Sequence, residues 1–265
     1  MEILRGLNHA PVKKLGQNFL IDANIVRKSL ELARVEAGDA VVEVGPGLGT
    51  LTGALLAAGA RVYAVELDRR LFEYLKKQFA GNENFSLINA DAVDMPLAAL
   101  PESEKNFKIV ANLPYAISTP WLDKVLCGRL PQKMSLMLQK EAADRFAAAG
   151  GSKDFAPISI CLDAAYRVSA RHRVSASCFH PKPAVDSVLL ALELRQNPFV
   201  FKKSTREIMR YVFSQKRKQI ASIAKGAGGH SEILGAWIEG GAFDARSRPE
   251  RIGAEHWRAL DSMLK

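Results

Sequence analysis

The stretch that decides the fold is Val41-Val42-Glu43-Val44-Gly45-Pro46-Gly47-Leu48-Gly49. Its first four residues form a short, mostly apolar run that favours a buried strand. The glycines that follow let the backbone turn tightly and approach a ligand closely. A helical pattern over residues 50–58 comes next. A strand, a glycine loop and a helix in this order predict the ligand-binding unit of a doubly wound α/β fold.

Strand-like and helix-like segments continue to alternate after this unit. We predict strands at residues 61–66, 85–89, 108–111 and 134–138, and further β-like runs at 171–175 and 187–194. Helices are predicted at residues 69–79, 141–148 and 158–166. This alternation indicates a parallel sheet with helices on its faces, and such sheets bind ligands at the carboxyl ends of their strands.

The C-terminal part of the chain is predicted to be helical and basic. Helical patterns cover residues 204–218, 231–238 and 254–264. Residues 200–265 hold 13 Lys and Arg against 7 Asp and Glu, a net charge of +6, whereas the rest of the chain carries only +3. We therefore predict a larger domain over residues 1–197 and a basic helical domain over 198–265 that docks on a nucleic acid. A solvated helical surface is the alternative explanation of this charge.

Composition argues against several other classes of protein. The sequence has no apolar run of about 18 residues and no apolar core of a secretory signal near its start, so we expect neither a membrane span nor a signal peptide. The three cysteines, Cys127, Cys161 and Cys178, are far apart, which favours free thiols in a reducing compartment such as the cytoplasm. The five histidines are scattered without ligand-pair spacing, so we expect no metal.

The glycine loop favours a nucleoside cofactor other than a dinucleotide. Dinucleotide loops space their glycines as Gly-x-Gly-x-x-Gly, whereas here Gly45, Gly47 and Gly49 alternate and Thr50 takes the place of the third. A glutamate placed like Glu43 is typical of loops that bind S-adenosyl-L-methionine. We therefore predict this cofactor, with Gly45 and Gly47 in contact with it. A tight strand-to-helix turn without a ligand is the alternative.

Acidic residues end the next two predicted strands. Glu66 ends the second strand, and Asp91 follows the third. In dinucleotide folds an acid at the position of Glu66 accepts hydrogen bonds from ribose hydroxyls, and we predict the same role here. Asp91 is predicted to accept from the adenine amino group of the cofactor. For each residue taken alone, a helix cap or a solvated charge is the alternative.

The fourth predicted strand runs into Asn112-Leu113-Pro114-Tyr115, which we predict to be catalytic. The exocyclic amine of adenine is a weak nucleophile because its lone pair is delocalised into the ring. Acceptors for both amine hydrogens free that lone pair, and the Asn112 side chain and the Leu113 carbonyl can supply them. Pro114 would hold the backbone rigid. Tyr115 would stack on a base that has left its own stack, a contact worth ~1–3 kcal/mol. An ordinary proline loop is the alternative.

Phe179 is predicted to supply the opposite aromatic face for the base. It stands in Phe179-His180-Pro181-Lys182-Pro183, where the prolines would keep the loop rigid. A core phenylalanine is the competing interpretation. The neighbouring Cys178 does not follow a proline, as the nucleophile of cytosine methylation does, so we reject covalent catalysis.

These motifs together resemble the KsgA/Erm family of ribosomal RNA adenine N6-dimethyltransferases over nearly the whole chain. The segments that match are residues 15–20, 43–49, 66, 91, 112–115, 139–141, 144–145 and 179–187. The resemblance implies a Rossmann-like S-adenosylmethionine methyltransferase domain with a small C-terminal helical domain. The cofactor contacts that it implies are Asn18, Leu20, Gly45, Glu66, Asp91 and Asn112.

Within the family the sequence is more similar to the KsgA branch. Leu113 and the predicted helix that holds residues 213–218 carry this likeness. It implies methylation of two adjacent adenosines near the 3′ end of 16S rRNA, in the immature small ribosomal subunit. We expect a monomer, and we expect RNA contacts from Lys216, Arg217 and Lys218.

Two departures and three alternatives qualify this interpretation. Leu15 stands where the family often has an aromatic residue, and residues 155–157 replace a segment that usually contains Tyr-Gly. Neither position carries proposed chemistry. The alternatives are Erm-type methylation of 23S rRNA, adenine methylation of DNA, and a ribosome-assembly factor without catalysis. The intact Gly45, Asn112 and Tyr115 argue against the last of these.

Overall fold

The computed structural model describes residues 6, 11, 16–241 and 243–264. Its contacts divide the chain into two compact units. The first comprises the residues up to Ala143 together with Val168–Leu194. The second comprises Asp144–Arg167 together with the residues from Arg195 onward. The departure from the family pattern at Leu15 lies outside the described residues.

One mixed sheet forms the centre of the first unit. Its strands in chain order are β2 (Ala40–Val44), β3 (Arg61–Glu66), β4 (Phe85–Asn89), β5 (Phe107–Asn112), β6 (Lys133–Gln139), β7 (Tyr166–Val174) and β9 (Ser187–Leu194). A separate two-stranded pair joins β1 (Phe19–Leu20) to β8 (Phe179–His180). The helices between them are α1 (Ala23–Ala33), α2 (Thr50–Ala57), α3 (Arg69–Gln78), α4 (Ser118–Val125) and α5 (Lys140–Phe146).

The strand order is β4-β3-β2-β5-β6-β9-β7. Strands β2 to β6 run parallel, and β9 runs antiparallel to β6. The chain moves outward from β2 to β4 and then returns to the other side of β2 as β5. The order therefore reverses between β2 and β5, which is where doubly wound sheets bind ligands. The predicted α/β fold is confirmed.

The central strand β2 is buried along its whole length. Helices cover both faces of a doubly wound sheet, so its inner strands are nearly continuous apolar runs. Val41, Leu55 and Val62 belong to one buried cluster that joins β2 to α2 and β3. This packing fixes the glycine loop, because the loop connects β2 directly to α2.

The predicted strands are confirmed, most with ends within two residues of the prediction. The run predicted at 171–175 begins earlier, at Tyr166, because the helix predicted at 158–166 ends at Ala165 and the chain then becomes extended. Helices α1 and α4 were not predicted from the sequence. The N-terminal signal of α1 was present, since the Asp22 side chain accepts from the amides of Asn24 and Ile25.

The second unit is helical. Its helices are α6 (Pro157–Ala165), α7 (Lys203–Ser214), α8 (Ile220–Lys225), α9 (Ser231–Gly240) and α10 (Ala254–Met263). The rings of Trp237 and Trp257 lie 4.8 Å apart in its core. The buried Asp261 accepts from the Lys202 amide and the Thr205 hydroxyl, at 2.8 and 2.5 Å, and so ties α10 to the start of α7.

The observed division differs from the predicted boundary after residue 197. Residues 144–167 group with the C-terminal helices. The cause is apolar packing, since α6 contacts both α7 and α10. The Phe155 ring also lies 6.2 Å from that of Phe213. None of the helices in the described part of the chain combines the length and apolar composition needed to cross a membrane.

The helix predicted over residues 204–218 is too long, since α7 ends at Ser214. The next residues form turns, in which the Lys216 amide donates to the Phe213 carbonyl and the Lys218 amide to the Gln215 carbonyl. Residues 216–218 are consecutive exposed cations. They offer no apolar side chain that would hold another helical turn against the core.

Candidate active site

A cleft opens at the carboxyl edge of the sheet in the first unit. Residues 16–20, the glycine loop and the ends of β3, β4 and β5 line it. The parallel arrangement of these strands explains the convergence, since parallel strands end at the same edge. Asn18, Leu20, Gly45, Gly47, Glu66, Asp91 and Asn112 all border this cleft, as do Leu113, Pro114 and Tyr115.

The glycine loop has a backbone that L side chains rarely adopt. Gly45, Gly47 and Gly49 have φ of +65°, +60° and +78°. A Cβ on Gly47 would come within 2.9 Å of the Phe19 ring, and one on Gly45 within 3.3 Å of the Pro114 ring. The loop therefore packs closely against the N-terminal segment on one side and against the tetrapeptide of residues 112–115 on the other.

Glu66 holds the glycine loop in place from the end of β3. Its Oε2 accepts from the Gly47 amide at 3.0 Å, and its Oε1 accepts from the Asp68 amide at 2.9 Å. Burial raises the pKa of Glu66, although these backbone hydrogen bonds oppose the rise. Each carboxylate oxygen has two lone pairs, so both can also accept from a ligand hydroxyl.

Glu43 is the buried acid beneath the loop, with a relative exposure of 1%. The Thr52 hydroxyl in α2 donates to its Oε2 at 2.7 Å. Burial raises the pKa of Glu43 to about 8; the Thr52 hydrogen bond opposes the rise and the charge of Glu66 adds to it. The carboxyl is therefore largely protonated at neutral pH. Glu43 was predicted from the loop pattern, whereas its partner Thr52 was not predicted.

Asp91 forms a turn directly after β4. Its Oδ1 accepts from the Val93 amide at 2.8 Å, and its carbonyl accepts from the Asp94 and Met95 amides. These bonds orient a half-buried carboxylate at the edge of the cleft. An acid held in this way is suited to accept from an amino group.

The N-terminal segment connects several parts of the site. Its Gln17 side chain donates to Asp68 Oδ2 at 3.0 Å, and its Leu20 pairs with Phe179 across the two short strands. The Asn18 carbonyl accepts from Nδ2 of Asn112 at 2.9 Å. Asn18 and Asn112 are 94 residues apart in the chain, so local patterns in the sequence did not reveal this bond.

This bond decides which way the Asn112 amide points. Because the Asn18 carbonyl accepts from the NH₂ group, the side-chain oxygen of Asn112 is the end that is available to accept from a substrate. Leu113 is buried, and its amide donates to the Met137 carbonyl at 3.3 Å. Neighbouring β6 therefore fixes the backbone of the tetrapeptide.

Tyr115 is held by its hydroxyl, which lies 2.8 Å from Oγ of Ser187. Burial raises the pKa of Tyr115, and the bond to Ser187 opposes the rise. Ser187 is fully buried at the start of β9. It belongs to the family motif over residues 179–187, but the sequence analysis gave it no role.

Phe179 does not line the cleft among the described residues. Its exposure is 3%, and it packs in the core cluster with Leu20 and Leu189. The structure thus shows Phe179 as a core residue, which is the alternative interpretation of the sequence. Stacking on a base stays a prediction, and it requires the Phe179 ring to leave the core.

The predicted RNA contacts Lys216, Arg217 and Lys218 lie in the second unit. They are exposed in the turn after α7. Lys216 Nζ donates to the Lys153 carbonyl at 3.3 Å, and Lys218 Nζ donates to Gln215 Oε1 at 2.9 Å. Within the described residues, no group of three or more His, Cys, Asp or Glu side chains is arranged to hold a metal ion.

The sheet order and the cleft at its reversal point define the class of protein: a Rossmann-like α/β protein that binds its ligand at the carboxyl edge of the sheet. Two solved structures share this fold. A dimethyladenosine transferase from Plasmodium falciparum superposes with a TM-score of 0.74 and 26% identity, over 91% of this chain and 95% of its own. The 23S rRNA methyltransferase ErmE superposes with a TM-score of 0.66 and 22% identity, over 93% of this chain and 99% of its own.

Comparison of sequences narrows the class to one family. The family model described as ribosomal RNA adenine dimethylase matches residues 8–237. The ribosomal RNA small subunit methyltransferase A of Opitutus terrae is 54% identical over 98% of this chain and 95% of its own length. That of Clostridium perfringens is 35% identical over 99% and 94%. This chain belongs to the ribosomal RNA adenine dimethylase family.

Proposed function

We propose that this protein transfers methyl groups from S-adenosylmethionine to N6 of two adjacent adenosines near the 3′ end of 16S rRNA, giving N6,N6-dimethyladenosine. The observation that carries the proposal is the Asn112 amide, whose NH₂ group is engaged by the Asn18 carbonyl at 2.9 Å. The names of the relatives support the small subunit as the substrate.

The residues along the cleft suit S-adenosylmethionine. Glu66 would accept from the two ribose hydroxyls, and Asp91 would accept from the adenine amino group. Phe19 and Pro114 already lie close to the loop backbone, and Gly45 and Gly47 leave room for the ligand because they have no side chain. Asn18 and Leu20 would contact the cofactor from the N-terminal segment. When bound, the cofactor supplies an electrophilic methyl group on a sulfonium.

The tetrapeptide performs the positioning that this chemistry needs. Asn112 Oδ1 and the Leu113 carbonyl accept the two amine hydrogens of the target adenine and free its lone pair. Tyr115, anchored by Ser187, stacks on the base. The amine becomes acidic only after methylation, so the mechanism needs no general base. Catalysis then rests on orientation and on acceptors fixed in place.

The second transfer places a different demand on the same acceptors. A monomethylated amine keeps one N–H, so one of the two acceptors must release its contact and tolerate a methyl group. The Asn112 side chain is held by one hydrogen bond and is half-buried, whereas the Leu113 backbone follows β5 directly and its amide donates to the Met137 carbonyl of β6. We infer that Leu113 keeps its contact and that Asn112 is the acceptor that yields.

The experiment that tests the substrate is labelled methyl transfer to undermethylated small subunits, large subunits, naked 16S rRNA and a DNA duplex in parallel. We expect label in the small-subunit RNA. Label in large subunits alone would assign the protein to the Erm-type reaction, and label in a DNA duplex alone would assign it to DNA. Absence of label from every substrate, with RNA binding intact, would leave an assembly factor without catalysis.

Four finer statements belong to this proposal. The substrate is an immature small subunit, the protein acts as a monomer, and it works in the cytoplasm. Lys216, Arg217 and Lys218 dock on the RNA, and their exposure in a turn of the second unit supports this role.

A further inference from the structure

The Asn89 side chain bonds two consecutive carbonyls at the carboxyl edge of the sheet. Asn89 is the last residue of β4 and pairs with Glu66, the last residue of β3. Its Nδ2 donates to the Glu66 carbonyl at 2.7 Å and to the Leu67 carbonyl at 3.1 Å. The second bond continues the connection between the two strands one residue beyond the end of β3.

The two peptide groups that Asn89 holds also bind the Glu66 carboxylate. In a trans peptide the C=O and the N–H point in opposite directions. The peptide between Leu67 and Asp68 accepts from the Asn89 amide on one side, and on the other its N–H donates to Glu66 Oε1 at 2.9 Å. The peptide between Glu66 and Leu67 is held in the same way, since the Leu67 amide donates to the Glu66 carboxylate and opposes the rise of its pKa by burial. The Asn89 amide and the carboxylate thus fix the same two peptide planes from opposite sides.

The pairing of β3 with β4 does not depend on the Asn89 side chain. The Glu66 carbonyl already accepts from the Ala90 amide at 3.2 Å. Asn89 is exposed, and the net contribution of a hydrogen bond to stability is small because the unfolded chain makes the same bond with water. The Asn89 amide therefore acts mainly on the orientation of the turn over residues 66–68.

Asn89 joins two stretches of chain that border the cleft. Glu66 and Leu67 line the cleft after β3, and Ala90 and Asp91 line it after β4. Asn89 itself is not among the residues that line it. Its two bonds tie the acceptor that we assign to the ribose to the start of the segment that carries the acceptor for the adenine amino group.

We propose that Asn89 is a positioning residue for the ribose of the cofactor, because its amide holds the turn that orients the Glu66 carboxylate toward the two ribose hydroxyls. This role rests on the proposed function, which assigns the ribose to Glu66. An acceptor that is oriented before the ligand arrives does not have to be ordered during binding, and the saved cost appears as affinity. Asn89 therefore contributes to the recognition of the hydroxyls through Glu66, without a contact of its own to the cofactor.

The test measures how strongly the protein discriminates the ribose hydroxyls. Calorimetric titration gives the Kd of S-adenosylhomocysteine, which is the methyl donor after transfer, and the Kd of its 2′,3′-dideoxy analogue. The ratio of the second Kd to the first is the hydroxyl discrimination. It is compared among wild type, N89A and the control N84A, which truncates an exposed asparagine just before the opposite end of β4.

We expect N89A to lower the hydroxyl discrimination about fivefold, through weaker binding of S-adenosylhomocysteine, and to leave the Kd of the dideoxy analogue within about twofold of wild type. N84A should match wild type for both ligands. A merely structural role would weaken both ligands alike, and a ratio for N89A equal to that of wild type would overturn the proposal. If N89A does not fold, N89S, which keeps one donor, must lower the ratio at least about twofold, and an unchanged ratio overturns the proposal.

This measurement separates the role of Asn89 from the proposed function, because it requires neither RNA nor catalysis. A wild-type protein that binds both ligands equally would contradict the ribose role of Glu66 and overturn the role of Asn89 with it. A wild type that discriminates the hydroxyls, together with an N89A variant that does so equally well, would overturn the role of Asn89 alone. Discrimination that depends on Asn89 in a protein that methylates no RNA would contradict the proposed reaction and support the positioning role.

Discussion

Tyr115 shows how a single hydrogen bond can hold an aromatic side chain at the edge of the cleft. Its ring is attached to the tetrapeptide at one end and to buried Ser187 at the other, through the 2.8 Å contact between hydroxyls. Stacking on a base needs the aromatic plane and does not need the hydroxyl. The two contributions can therefore be separated by mutation.

The variant Y115F keeps the ring and removes the bond to Ser187. We expect it to lower the single-turnover rate about three- to tenfold, in line with a hydrogen bond worth about 1 kcal/mol. Y115A also removes the stacking, worth ~1–3 kcal/mol, and should fall well below Y115F. Equal losses for Y115F and Y115A would show that the ring makes no stacking contribution.

The burial of Glu43 leads us to expect that the free energy of unfolding falls as the pH rises. Its pKa is raised to about 8 in the folded protein, mainly by burial. Because folding raises this pKa, the contribution of Glu43 to the free energy of unfolding is fully present below about pH 4.5 and is lost as the pH rises toward 8. E43Q keeps an acceptor for Thr52 and cannot ionise. We expect the stability of E43Q relative to wild type to rise by at least about 1 kcal/mol between pH 5 and 8.

Urea unfolding of both proteins across this pH range measures the difference. Parallel stability curves would show that Glu43 ionises freely in the folded state. Groups that do not interact with Glu43 contribute equally in both proteins and cancel in the comparison, whereas the charge interaction with Glu66 is part of the measured difference.

The sequence predicted which residues border the cleft better than it predicted how they are held. Gly45, Glu66, Asp91 and Asn112 were identified because each follows or ends a strand, and parallel strands end together. The bonds that orient them come from distant parts of the chain, such as the Asn18 carbonyl. Phe179 was predicted to stack on the base because of its motif. Its burial depends on pairing with β1, which only the folded chain reveals.

At the scale of elements, the glycine loop offers the sharpest test. Gly47 and Gly81 both have positive φ, +60° and +76°. A Cβ on Gly47 would collide with the Phe19 ring, whereas one on Gly81 would meet nothing within 4 Å. The two positions share the cost of backbone strain and differ in the collision with the cleft wall.

We expect G81A to lose about 1 kcal/mol of stability, the usual cost of αL backbone for a non-glycine residue, and to bind S-adenosylmethionine normally. G47A should lose at least about tenfold in cofactor affinity, because the Phe19 ring must shift. Calorimetric titration with thermal melts measures both quantities. Normal cofactor affinity in G47A would mean that the close packing of the loop on Phe19 is not needed for binding.

Elements were predictable where local signals were strong. Alternating apolar runs located the sheet strands to within a few residues, apart from the early start of β7. The end of α7 was misjudged because lysine and arginine are good helix formers, whereas the missing contact with the core stops the helix at Ser214. Helix α1 was overlooked although Asp22 caps it.

At the scale of the molecule, charge is divided between two units that have different structures. The first unit holds the cleft and the second a helical core around Trp237 and Trp257. Composition predicted a basic helical region, but not that residues 144–167 would group with it. That grouping depends on contacts of α6 with helices about 40 to 100 residues later in the chain, which no local pattern reveals.

The cations of the second unit predict a measurable part of RNA binding. We expect K216Q/R217Q/K218Q to lower the slope of log K against log salt by about 2 and to weaken RNA binding uniformly across sequences. The affinity for S-adenosylmethionine should not change, because the cleft lies in the first unit. A slope equal to that of wild type would remove these residues from the RNA-binding surface.

We propose that the cleft with its oriented Asn112 amide dimethylates adenine N6 in the small-subunit RNA. The most direct test incubates undermethylated small subunits with S-adenosylmethionine and either wild-type protein or N112A, then quantifies the nucleosides after digestion. We expect two N6,N6-dimethyladenosines per subunit with wild type, and a rate about 10²–10³-fold lower for N112A with RNA binding retained. Methylation at another atom, or near-wild-type dimethylation by N112A, would contradict it.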